Sequence, residues 1–70
     1  MENIKIIEKI AQNIKEYRLE KGYSQELLAE KAGLHRTYIS LLERKKKNVS
    51  VVILEKVAIA LGVQLSDLIK

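Results

Sequence analysis

Basic and hydroxyl side chains are concentrated in one short stretch of this 70-residue chain, between residues 35 and 48. This stretch holds five basic side chains and a single acidic one, Glu43. The difference accounts for the whole formal net charge of +4. The segments before and after it hold equal numbers of acidic and basic side chains. Clustered cations bind a polyanion well because they displace its condensed counterions. The stretch therefore indicates a surface that binds a polyanion, with nucleic acid as the leading candidate.

The polar groups fall on one side of a helix predicted to run from about residue 36 to 44. At about 100° per residue, one arc of roughly 100° holds the polar set: Arg36, Thr37, Ser40 and Arg44. The opposite side is apolar: Tyr38, Ile39 and Leu42. Alone, a polar arc or a run of lysines is typical of an ordinary solvated surface. Their coincidence on one element favours a binding surface.

The composition does not support other kinds of site. The chain has no Cys and one His, so it lacks the ligands of the usual four-coordinate zinc site. It has neither a nucleophile and base set nor a glycine-rich phosphate loop, so we expect no enzymatic activity, no cofactor and no small-molecule ligand. No stretch resembles a signal peptide or could span a membrane, so we expect a cytoplasmic protein.

The polar helix must be positioned by its neighbours, and glycine and serine mark where these begin and end. Helix 2, about residues 25–32, follows Ser24, a good N-cap, and stops at Gly33. Helix 1 is predicted to end near Gly22, since four residues before it share a helical stripe: Ile7, Ile10, Ile14 and Tyr17. Two helices joined by a short turn that contains glycine form a helix-turn-helix.

The β-branched run from Val49 to Leu54 is the one place where a strand competes with a helix. Helical spacing of apolar residues continues downstream, so Ser50 as N-cap and Gly62 as the stop favour a fourth helix. A short fifth helix is predicted after Ser66, whose hydroxyl would cap it. We therefore predict an all-α fold, a compact five-helix bundle that forms one domain over residues 1–70.

The longest recognisable pattern runs from Ser24 to Arg44 (SQELLAEKAGLHRTYISLLER) and continues in LEKVA at 54–58 and ALGV at 60–63. It closely resembles the lambda-repressor-like, XRE-type family of DNA-binding domains, whose five-helix core would cover residues 10 to 69. Residues 36–40, the basic run, Asn48 and Ser50 resemble the controller proteins of restriction-modification systems, which are small stand-alone dimers.

The resemblance implies two kinds of contact with double-stranded DNA. Arg36, Thr37 and Ser40 would enter the major groove, where arginine can bond guanine and a hydroxyl can serve either base type. A second set would contact phosphates and set the register: Gln25, Tyr38, Arg44, Lys45, Lys46, Lys47 and Asn48.

Several neighbouring residues have structural interpretations. The resemblance implies that Arg18 and Glu43 pair between helix 1 and the end of the recognition helix. Tyr38 lies toward the apolar side of the helix, so the alternative to a phosphate contact is a packed ring with its hydroxyl at the surface. His35 replaces the usual Ser or Thr cap, and imidazole caps poorly. We expect a slightly frayed recognition helix, with a phosphate contact that strengthens on protonation as the alternative.

The outer side of helix 4 predicts a twofold dimer. Val52 and Ile59 lie about 140° to 160° from the core residue Leu54. With Ile53 beside them and Leu65 and Ile69 nearby in sequence, they indicate a dimer interface in helices 4 and 5, about residues 51–69. The two recognition helices would meet successive major grooves about 34 Å apart on a palindromic operator.

The sequence therefore favours a sequence-specific dimeric transcriptional regulator, with a restriction-modification controller as its sharpest version. Two alternatives stay open. One is an antitoxin or adaptor of XRE type that acts mainly through a protein partner, and the other is a phage-type repressor.

Overall fold

The computed structural model describes residues 2–44 and 49–70. Within these ranges the chain forms five helices and no strand, so the prediction of an all-α five-helix fold is confirmed. The helices are α1 (Glu2–Lys21), α2 (Gln25–Ala32), α3 (Arg36–Glu43), α4 (Val51–Leu61) and α5 (Leu65–Ile69). No helix in the described part of the chain is long and apolar enough to cross a lipid bilayer.

Local capping sets the limits of α2. The Leu27 N–H donates to Ser24 Oγ at 3.0 Å, which satisfies one of the free donors of the first turn. At the other end Gly33 takes the left-handed conformation, with φ of 70°, and the Leu34 N–H donates to the Ala29 carbonyl at 2.8 Å. Since a Cβ at Gly33 would meet no atom within 4 Å, its backbone angle and not crowding is what requires glycine.

The segment after Val49, for which the sequence allowed a strand or a helix, forms a helix. The Ile53 N–H donates to Ser50 Oγ at 3.1 Å, and α4 ends at Gly62 with φ of 73°. The apolar residues at helical spacing in this helix are all buried: Leu54, Val57, Ala58 and Leu61. Burial of a continuous helical stripe therefore outweighs the β-propensity of the first turn.

The predicted start of α5 is wrong by two residues. The helix begins at Leu65, and Gln64 occupies the N-cap position instead of Ser66. The Asp67 carboxylate reaches back and accepts the Gln64 N–H at 2.9 Å, as the third residue of a capping box does. Ser66 therefore lies inside the first turn, exposed to solvent.

The core is built from aliphatic side chains contributed by all five helices, among them Ile10, Ile14, Leu28, Ile39, Leu61 and Leu68. On α1 the predicted stripe is buried at Ile10 and Ile14 and half-buried at Ile7 and Tyr17. Helix α2 packs on α3 and α4, while α1 packs on α5. The Asn13 amide donates to the Leu68 carbonyl at 2.9 Å, which ties α5 to α1. This framework leaves one side of α3 and one side of α4 facing solvent.

Candidate nucleic-acid interface

The outward side of α3 brings together the three residues predicted to read bases. Arg36 and Thr37 are exposed and Ser40 is half-buried, and together they line a shallow depression of about 220 Å³. On the opposite side Ile39 and Leu42 are buried in the core, so the helix cannot turn without exposing them. The depression therefore combines one guanidinium with two hydroxyl groups, a set that can bond base edges.

A buried ion pair holds the carboxyl end of α3 against α1. Arg18 Nε lies 2.6 Å from Glu43 Oε2, and Arg18 Nη2 donates to Glu43 Oε1 at 3.0 Å. The third nitrogen of the guanidinium, Nη1, donates to the Tyr23 carbonyl at 2.8 Å. The Arg18 and Glu43 side chains are 10% and 4% exposed. The geometry is that of a bidentate pair shielded from water, so the pairing implied by the resemblance is present.

Glu43 also binds Gln25, for which the family resemblance implies a phosphate contact. Gln25 Nε2 donates to Glu43 Oε1 at 3.1 Å, and the Gln25 side chain is half-buried. A primary amide has two N–H donors, so this bond leaves one of them for a phosphate. This contact could not be predicted from the sequence, because residues 18 positions apart share no local pattern.

His35 caps α3. Its Nδ1 accepts the Thr37 N–H at 3.0 Å, and its backbone is extended, with φ of −76° and ψ of 145°. His35 therefore does make a side-chain cap, since an unprotonated Nδ1 reaches a free donor of the first turn, while the strength of this cap stays a prediction. The bond places the proton of neutral His35 on Nε2. The exposed ring can thus donate outward without first becoming charged.

The predicted phosphate contacts of α3 differ in their surroundings. Arg44 is exposed and ends the helix, where its N–H donates to the Ser40 carbonyl at 3.1 Å. Tyr38 is half-buried and packs against the core, in line with the packing interpretation. Lys45, Lys46, Lys47 and Asn48 lie outside the described residues, so their contacts stay predictions.

The predicted dimer residues fall into two groups. Val52 is 66% exposed, Ile59 71% and Ile69 50%, which is high for such large aliphatic side chains. Ile53 and Leu65 are half-buried, and Leu65 packs against the core. Val51, which is not among the predicted dimer residues, is 66% exposed at the first position of α4. The helix therefore presents an apolar outer side, and its occupant stays a prediction.

Residues 14–68 match the family described as Helix-turn-helix, which covers all five helices in part or in full. The chain belongs to this helix-turn-helix family. The control protein C.BamHI of Bacillus amyloliquefaciens is 47% identical over 68 residues, which span 96% of this chain and 82% of that protein. The transcriptional regulator SinR of Bacillus subtilis is 49% identical over 61 residues, 86% of this chain and 55% of SinR.

Solved structures of similar proteins have the same fold. The restriction-modification controller protein C.AhdI of Aeromonas hydrophila superimposes with a TM-score of 0.86 and 42% identity, over 89% of this chain and 94% of that one. A structure of SinR in complex with DNA gives a TM-score of 0.83 and 48% identity, over 87% and 98% of the two chains. The predicted fold of this helix-turn-helix domain is therefore confirmed.

The relatives are named as transcriptional regulators and control proteins, so the prediction of a non-enzymatic regulator is confirmed for the family. The restriction-modification controllers predicted from residues 36–50 are among them. The chain spans about half the length of several curated relatives, SinR included.

Proposed function

We propose that this chain is a sequence-specific transcriptional regulator whose α3 enters the major groove of double-stranded DNA. The observation that carries the proposal is the grouping of Arg36, Thr37 and Ser40 in one depression on a helix fixed from behind by the core. A helix fits the major groove, and side chains near its amino end reach base edges. The proposed place of action of such a regulator is the cytoplasm.

In this proposal the residues around α3 divide into readers and anchors. Arg36 bonds a guanine through its two-donor fork, and Thr37 and Ser40 add hydroxyl contacts to neighbouring bases. The anchors bind phosphates and fix the register: Gln25, Tyr38, Arg44, Lys45, Lys46, Lys47 and Asn48. The bond from Gln25 to Glu43 supports its role, because it orients the amide before DNA arrives.

The regulator is proposed to act as a homodimer that joins through Val52, Ile53, Ile59, Leu65 and Ile69. A twofold dimer presents two copies of α3 to successive major grooves about 34 Å apart, so its operator is palindromic or nearly so. The exposure of Val52 and Ile59 supports this arrangement, since solvent-facing aliphatic side chains in register mark an interaction surface.

The sharpest version of the proposal is a controller of a restriction-modification system. It is supported by the match to C.BamHI over most of both chains and by the similarity to the C.AhdI structure. Residues 1–70 act as a single DNA-binding domain in this version.

Selection of bound duplexes from a random pool at cellular ionic strength tests the proposal. We expect a palindromic consensus with half-sites one helical turn apart, bound about 10³-fold or more tightly than random DNA. Equal, weak affinity for every duplex would contradict the assignment.

A second candidate function is an adaptor that acts through a protein partner. A structure of the similar protein SinR is a complex with the protein SinI, so this fold is found in protein assemblies as well. Affinity purification from the native lysate separates the two candidates. A stoichiometric protein that stays bound after nuclease digestion favours the adaptor, whereas loss of all co-purifying material favours the DNA regulator.

A further inference from the structure

The outer side of α4 carries a charge pattern that specifies how two copies pair. Val52 and Ile59 lie within about 20° of each other on the helix surface and form a line, called here the α4 seam. Between them along the helix, Glu55 and Lys56 lie about 50° to either side of that line. Both are exposed, and neither makes an ion pair within the described part of the chain. The α4 seam is thus an apolar line with a negative flank and a positive flank.

The direction of pairing decides which flanks meet. When two identical helices run the same way about a twofold axis along them, opposite flanks face each other, as in parallel coiled coils. Glu55 of one copy then meets Lys56 of the other, and the reciprocal contact follows by symmetry. When the helices run in opposite directions, like flanks meet, so Glu55 faces Glu55 and Lys56 faces Lys56. Only the first arrangement satisfies both charges.

We propose that the second copy of this chain docks on the α4 seam with its α4 running in the same direction, and that Glu55 and Lys56 determine this orientation. The inference rests on the proposed dimer and extends it, since it assigns self-recognition to two charged residues outside the predicted apolar interface. In this arrangement Val52 packs on Val52 of the second copy, and Ile59 packs on Ile59 of the second copy. Like charges across the interface exclude the opposite orientation, as charge patterns do in other helical pairs.

Charge reversal provides the first test, measured as dimer dissociation by analytical ultracentrifugation without DNA. Glu55→Lys and Lys56→Glu should each raise the dissociation constant on the order of tenfold or more, because symmetry doubles each like-charge contact. The double variant Glu55→Lys/Lys56→Glu should return to the wild-type value, and so should an equimolar mixture of the single variants. Glu30→Lys, the same change on the exposed face of α2, is the matched control and should leave dimerisation unchanged.

Cysteine cross-linking provides the second test, since the chain has no cysteine of its own. A disulfide requires Cα atoms about 4.4–6.8 Å apart, so it reports which positions meet across the twofold axis. Under oxidation Val52→Cys should form covalent dimers with itself. Cross-linking only between Val52→Cys and Ile59→Cys would overturn the proposal, since those positions meet when the helices run in opposite directions.

The outcomes distinguish the orientation from the dimer itself. Single charge variants that dimerise as tightly as the wild type overturn the charge-determined orientation and leave the α4 seam standing. A wild-type chain that stays monomeric, with no cross-link at Val52, overturns both the seam and the dimer. DNA selection would still test the role of α3 in either case.

Discussion

Helices α3 and α4 both bury one side and expose the other, but their exposed sides have opposite chemistry. The outer side of α3 presents Arg36, Thr37 and Ser40, while the outer side of α4 presents Val52 and Ile59. The carboxyl end of α3 is held by a buried, bidentate ion pair, whereas the outer side of α4 makes no polar contact among the described residues. Polar groups gain from a polar partner and apolar groups from one another. The contrast therefore predicts DNA for the first surface and a second copy for the other.

The largest expected effect comes from removing the support of α3. Glu43→Ala leaves the Arg18 guanidinium buried without its partner, so we expect a loss of about 3–5 kcal/mol in the free energy of unfolding. Urea denaturation measures it. The control is Lys70→Ala, which removes the exposed pair with Asp67 and should change stability little. A loss below about 1 kcal/mol for Glu43→Ala would mean that the pair does not hold α3 in place.

The second-largest effect is expected from a substitution on the apolar outer side of α4. Ile59→Lys puts a charge into the proposed interface in both copies, and each buried aliphatic side chain contributes about 1.5–3 kcal/mol. We therefore expect the dimer to weaken by about 3 kcal/mol or more while the monomer keeps its fold. Sedimentation and circular dichroism together measure both. If the variant still sediments as a dimer at low micromolar concentration, the α4 seam is not the interface.

Substitution on the outer side of α3 should have a smaller effect, a loss of DNA affinity that depends on the DNA sequence. Arg36→Ala should cost about 1–3 kcal/mol on the selected operator and little on random DNA, since a base contact carries specificity. Arg44→Ala is the matched arginine control. As a phosphate anchor it should weaken binding about equally on all sequences and lower the salt slope by about 0.9. Equal losses on both DNAs for Arg36→Ala would reassign Arg36 to the backbone.

The smallest expected effect concerns the cap of α3. His35→Ala removes the acceptor of the Thr37 N–H and should destabilise the domain by about 1 kcal/mol, seen in thermal unfolding. His35→Ser restores an acceptor of a preferred capping type, so its stability should equal or exceed that of the wild type. If both substitutions behave alike, the imidazole contributes nothing as a cap.

Most of the helices could be predicted because residues close together in sequence mark their ends. Ser24 with Gly33 and Ser50 with Gly62 mark helix ends through contacts of at most a few residues, so their signals survive in the sequence. The start of α5 was predicted wrongly because two caps compete there within a few residues: Ser66, and the pair of Gln64 with Asp67. The cap bond of His35 could not be predicted from the residue type, because side-chain geometry brings Nδ1 to the Thr37 N–H.

The sequence by itself determined the helix-turn-helix pattern, the apolar stripes and the residues grouped on the outer sides of α3 and α4, because these depend on the spacing of residues close together in the chain. Only the tertiary structure showed Glu43 bound at once to Arg18 and Gln25, and the bond from the Asn13 amide to the Leu68 carbonyl that ties α5 to α1. Those features depend on distances between helices, which are set when the core packs and not by any local preference of the chain.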